Sequence, residues 1–125
     1  MSQIWSGWYE IHPDGTFTPV ASVRDLGRQS ANTAPVEEGG RTVAKTSVVI
    51  GDRTLWVSTV FLGVDHSFRP GPPVLFETMV FEGSMMGRYC KRYHTYGEAK
   101  KGHEEVVKGL LDGTVVIEED QEDEG

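Results

Sequence analysis

The sequence predicts a single α+β domain: an antiparallel β-sheet, a meander with an N-terminal hairpin, packed by one C-terminal α-helix. Three observations carry this expectation. Residues 42–94 hold four runs rich in β-branched and aromatic residues, separated by Gly- and Pro-containing connections. After Thr95 the apolar residues switch to helical spacing. A chain of 125 residues also fits one domain with one modest core.

Trp8 to Ile11 reads as a strand and Thr16 to Val20 as its partner, joined by His12-Pro13-Asp14-Gly15. Pro presets φ, Asp bonds its local backbone and Gly accepts positive φ, which is turn chemistry. Pro19 places the second strand at an edge, since proline donates nothing to a ladder. Residues 21–41 form a long loop or begin with a short helix at Ala21 that Gly27 breaks. Thr42 to Ile50 puts Ala44, Thr46, Val48 and Ile50 on one face, and Gly51-Asp52-Arg53 makes a short connection.

Thr54 to Leu62 and Val74 to Phe81 carry apolar residues on both faces, which predicts central strands covered on both sides. A loop over 63–73 joins them, a turn is expected over 83–87, and Arg88 to His94 completes the meander. Thr95-Tyr96-Gly97-Glu98 matches a capping box for a helix from Tyr96 to about Leu111. Ala99, His103, Val106, Val107 and Leu110 form its buried stripe, and Glu104 with Lys108 supports the wet face. Asp112-Gly113 ends the helix, and Thr114 to Ile117 offers a short edge strand. The domain is expected over 1–117, with an acidic disordered tail over 118–125.

The net charge is −7, but the tail alone carries six acids, which leaves −1 for the rest. The charge of −7 argues against a duplex-DNA binder, whose affinity comes largely from Lys and Arg neutralising phosphates, while the body itself is neither acidic nor basic. A single cysteine, Cys90, excludes an internal disulfide and any cysteine-based metal site, and points to a reducing compartment. The N-terminus has no basic n-region followed by an apolar run, so no secretory signal is expected. No stretch of about 20 apolar residues is present to span a membrane. P-loop, GxGxxG, GxSxG and HExxH patterns are all absent, so no cofactor, metal or catalytic residue is assigned.

Polar groups inside apolar strands mark the candidate sites. Thr59 lies between Val57 and Phe61, and Glu77 between Leu75 and Met79. A carboxylate there must find a partner or neutralise, and Arg88, Arg92 or His94 on the next strand supplies one. The result is either a structural ion pair or the lining of a ligand pocket. Asp65-His66 opens a loop directly after a strand, where both loop architecture and ligand contact are natural roles.

Tyr93 and Tyr96, interleaved with bases, are suited to stacking a nucleobase while Arg92 or His94 meets its phosphate. An ordinary half-exposed strand is the plainer alternative. His103, on the apolar stripe, reads as a satisfied core histidine rather than as a metal ligand with His66 and His94. Cys90 reads as a small hydrophobe rather than a nucleophile. Trp5, Trp8 and Trp56 are either interface anchors or core.

Three stretches together carry a resemblance: Val57 to His66, Pro73 to Phe81, and Arg92-Tyr93-His94-Thr95-Tyr96 continued by Ala99 and Gly102-His103. They resemble a family of small bacteriophage and prophage proteins with VSTVFLGxDH, PxLFETMVF and RYxT(W/Y)xxAxxGH motifs. The resemblance spans roughly residues 41–107, and the N-terminal third departs from it. It implies a phage accessory protein, for anti-defence or host takeover, acting in the bacterial cytoplasm. It supplies no catalytic residue to carry over. The combined expectation is a non-catalytic binding module that inhibits a host protein or sequesters a nucleotide-like ligand, and that forms a homo-oligomer. Its expected ligand-binding set is Asp65, His66, Glu77, Arg88, Arg92, Tyr93, His94 and Tyr96. The alternatives are a small nucleotide-processing hydrolase using Glu77 or His66 as acid or base, and a virion-associated structural protein.

Overall fold

The computed structural model describes residues 8–20, 32–65, 71–82 and 85–117, the side chains of 85–88 excepted. The fold is α+β: a hairpin, a four-stranded antiparallel sheet and one C-terminal helix. Strands β1 (Tyr9–Ile11) and β2 (Phe17–Pro19) form the hairpin, with Tyr9 opposite Pro19. Its turn closes by His12 N–H to Thr16 O and Gly15 N–H to His12 O, both 2.8 Å. Asp14 Oδ1 accepts the Thr16 hydroxyl at 2.6 Å and its N–H at 3.0 Å, and these bonds hold the carboxyl below its ordinary pKa. Gly15 has φ +90° and sits against the Tyr96 ring.

Strands β3 (Thr42–Ile50), β4 (Arg53–Phe61), β5 (Phe76–Glu82) and β6 (Met85–Tyr93) pair in sequence order, each antiparallel to the next. Gly51, with φ +62°, leads the two-residue β3–β4 turn, the first-position glycine of a type II′ hairpin. So tight a turn fixes the register and sets Lys45 opposite Ser58 and Ser47 opposite Trp56. Beside this turn, Arg53 grips Glu82 through two bonds, at 2.9 and 2.7 Å, and pulls that carboxyl below its ordinary pKa.

Part of the turn expected over 83–87 is strand instead. Met85, Met86 and Gly87 already belong to β6, with Met85 opposite Glu82 and Met86 opposite Phe81. The Met-Met pair extends the ladder between two glycines that, read as punctuation, suggested a longer break.

Helix α1 (Tyr96–Asp112) begins at Thr95, whose hydroxyl accepts the Glu98 N–H at 3.1 Å. The Glu98 carboxylate reaches back to the His94 N–H at 3.0 Å, one residue beyond the N-cap. Gly113, in the left-handed region at φ +85°, ends the helix. Thr114 to Ile117 does not form the expected edge strand. Val115 N–H instead bonds Gly109 O at 3.0 Å, and the chain folds back so that Ile117 joins the core.

α1 covers one face of the sheet and creates two apolar clusters along it. One holds Ile11, Val36, Phe61, Leu75, Phe76, Tyr93 and Ala99; the other holds Val48, Leu55, Val57, Val80, Val106, Leu110 and Ile117. Val36, 1% exposed on a single 3-10 turn (Val36–Glu38), is a core residue that the pattern of residues 21–41 hides. The opposite face is not sealed as the two-faced strands suggest, since Trp56 on β4 is 40% exposed. Among the described residues no helix is long and apolar enough to cross a membrane. The helix start expected at Ala21, the tail over 118–125, Trp5, His66 and the Arg88 side chain lie outside the described residues.

Candidate functional site

On the helix-covered face, one polar layer crosses the fold. Thr46 of β3 meets His103 Nε2 at 2.8 Å, and His103 Nδ1 meets Thr59 of β4 at 2.8 Å. Thr59 bonds Thr78 of β5, and the Tyr93 hydroxyl of β6 donates to Thr78 at 3.1 Å. Thr59 and Thr78 are fully buried and His103 is 4% exposed. Along β4, β5 and α1 alike, this layer lies between a residue of the first apolar cluster and one of the second: Phe61, Thr59, Val57; Phe76, Thr78, Val80; Ala99, His103, Val106.

Buried hydroxyls need acceptors for their protons. One direction uses every proton in turn: Tyr93 donates to Thr78, Thr78 to Thr59, Thr59 to Nδ1, and Nε2–H to the half-buried Thr46. That direction assigns a neutral imidazole protonated at Nε2. An imidazolium would force Nδ1 to donate and would strand a hydroxyl proton. Burial acts the same way and pushes the His103 pKa below its ordinary 6.5.

The consequence for stability has a definite sign. The unfolded chain takes up the proton first, so this group's contribution is complete above pH 6.5. It is lost as pH falls from 6.5 towards the lower folded value, and then levels off. Urea midpoints between about pH 7.5 and pH 5 should therefore fall, with a slope that His103→Gln reduces. An unchanged slope in that variant would assign the pH dependence to other groups.

The open face has a different character. Its central row places Trp56 of β4 opposite Phe81 of β5. The adjacent row sets Lys45, Ser58, Met79 and Cys90 across all four strands. Lys45, Trp56, Ser58 and Phe81 line a shallow cleft of about 400 Å³. The Lys45 ammonium stands 5.7 Å from the indole centroid, in cation–π geometry. In the next row Glu77 faces Arg92 and accepts its Nε–H at 3.0 Å, and the same carboxylate oxygen accepts from the Cys90 thiol at 3.0 Å. Partial desolvation and then the bond to Glu77 raise the Cys90 pKa, the opposite of what a nucleophilic thiolate needs.

The structure brings Glu77 and Arg92 together on the open face, but the other expected ligand residues are dispersed. Tyr93 points to the helix side, where burial raises its phenol pKa and its ring packs in the core. Tyr96 packs against the hairpin and Phe76, with the Lys100 ammonium 5.4 Å from its ring centroid. Asp65 accepts the Val74 N–H at 2.8 Å and so ties the chain after β4 to the chain before β5. His94 Nδ1 lies 2.9 Å from the Pro73 carbonyl oxygen.

No local signal in the sequence groups Lys45, Trp56, Ser58 and Phe81. Strand alternation puts Trp56 and Ser58 on one face, and the two-residue turn places Lys45 beside them.

The residues of the three motif stretches mostly build the fold. Thr59, Thr78, Tyr93 and His103 form the polar layer, Thr95 caps the helix and Ala99 is core. Gly102 gives the Tyr93 ring its space, since a Cβ there would come within 2.2 Å of it.

Among the described residues no three His, Cys, Asp or Glu side chains gather as a metal site. In comparisons with protein-family models, curated proteins and solved structures, the chain matches none of them.

Proposed function

We propose that this chain is a non-catalytic binding module whose ligand or partner seats on the open face of the four-stranded sheet, at the cleft around Trp56. The observation that carries this reading is the contrast between the two faces. Polar groups on the helix side are consumed by one another, whereas the open side presents an exposed indole, an ammonium and a hydroxyl around one cleft. Such a mix of flat apolar surface with a few convergent polar groups suits binding.

The hydrolase alternative draws no support from Glu77, whose carboxylate is engaged by Arg92 and Cys90. The phage resemblance supplies the setting: an accessory protein in the bacterial cytoplasm that inhibits a host factor or sequesters a nucleotide-like ligand.

Native mass spectrometry of the protein purified gently from a bacterial host tests this. The expected result is a retained ligand or partner mass that Trp56→Ala removes, with the circular dichroism spectrum unchanged. Retention at full occupancy in Trp56→Ala would place the binding surface elsewhere. Subunit number is read from the same spectrum, and a homo-oligomer is expected.

A further inference from the structure

We propose that the open-face cleft takes a nucleotide-like ligand, a flat heteroaromatic ring bearing an anionic group; this rests on the binding reading above and names its ligand class. Trp56 and Phe81 stand opposite one another on the two central strands and line the cleft together. With 40% of Trp56 exposed, the indole offers a stacking surface that a flat ring can cover. In the adjacent row Lys45 stands opposite Ser58. The Lys45 ammonium, 5.7 Å from the indole centroid, puts a cation at the rim of the same surface.

A ring laid on Trp56 displaces this exposed side chain from the indole face towards the ring's anionic substituent. The Ser58 hydroxyl, able both to donate and to accept, meets the ring edge.

Size and charge select this class over others. A cleft of about 400 Å³ is on the small-molecule scale and does not hold a helix. The described side chains of the open face include two cations, Lys45 and Arg92, against one carboxylate, Glu77, on a chain of net charge −7. An acidic peptide would satisfy Lys45 and leave the indole wet. An aliphatic chain would cover the indole and leave the ammonium without a counter-ion. A flat anion engages both.

Isothermal titration of the full chain with AMP, GMP, adenosine and inorganic phosphate is the test. A nucleoside monophosphate should bind, adenosine more weakly, and inorganic phosphate alone not at all. Trp56→Leu should weaken monophosphate and nucleoside binding by about tenfold or more. Lys45→Met should weaken the monophosphate only, down to the level of the nucleoside. Val49→Thr, an exposed change outside the cleft, should leave both unchanged. Thermal melts confirm that each variant is folded.

Absence of heat with every nucleotide at millimolar concentration overturns the proposal, as does binding indifferent to both Lys45→Met and Trp56→Leu. If nucleotides fail while Trp56→Ala still strips a retained partner, the ligand class falls and the binding reading stands. If the host-purified protein also carries nothing, both fall.

Discussion

Replacing His103 by alanine is expected to destabilise the fold by about 2–4 kcal/mol, measured by urea unfolding. The change opens a cavity beneath the helix and takes the imidazole away from both of its partners, Thr46 and Thr59. Thr46 is half-buried, so water can replace its bond, but Thr59 is fully buried. Its hydroxyl proton then has no acceptor, an unsatisfied buried group costing about 1–3 kcal/mol.

The layer should also behave as a unit. Thr59→Val alone leaves the Thr78 hydroxyl proton without its acceptor and His103 Nδ1 without its donor, because both bond Thr59. The triple change Thr59→Val, Thr78→Val and His103→Leu replaces the buried centre of the layer with apolar groups. It should cost less than the three single losses added together. Additive losses would mean that the three residues do not share one hydrogen-bond chain.

Gly102→Ala is expected to cost about 1–3 kcal/mol, against the ordinary rule that alanine strengthens a helix by about 1 kcal/mol over glycine. The cause is local. The added methyl would lie 2.2 Å from Tyr93 Cε1 and 2.4 Å from its hydroxyl oxygen, on a ring buried in the core. Five residues earlier Gly97 has open space where its Cβ would go, so Gly97→Ala should be neutral or stabilising. Opposite signs for one substitution at two points of α1, read as thermal midpoints, isolate the Tyr93 contact from helix propensity. A stabilising Gly102→Ala would contradict the close packing of Tyr93 against α1.

Most of the fold is legible in the sequence because its signals are local. Pro13-Asp14-Gly15 marks the hairpin turn, Thr95 with Glu98 marks the helix start, and Gly113 marks its end. Alternation assigns Leu55, Val57, Thr59 and Phe61 to one face of β4, and all four are buried there. The sequence hides what depends on distant partners. Met85 and Met86 join β6 through cross-strand pairing that no local residue announces. Val36 enters the core from a segment with no periodicity.

The candidate site is less legible, for two physical reasons. Apolar residues on both faces of β4 and β5 imply two covers, and an open binding face gives the same pattern as a buried one. The aromatic and basic run of β6 also alternates faces. Arg92 goes to the open side while Tyr93 goes to the core, so adjacent residues that read as one cluster are separated by the sheet itself. His103 illustrates the converse, since its partners are Thr59 and Thr46, 44 and 57 residues away.

Thr59, Thr78, Tyr93 and His103 are locked in one buried, structural polar layer, which is why the proposed binding surface is the open face. Nitrogen-15 NMR of the imidazole of His103 across a pH titration tests this most directly. The predicted result is a neutral ring protonated at Nε2, with Nδ1 as acceptor, that does not begin to titrate at its ordinary pKa of 6.5. A His103 ring that titrates freely at 6.5 or exchanges between tautomers would contradict the account.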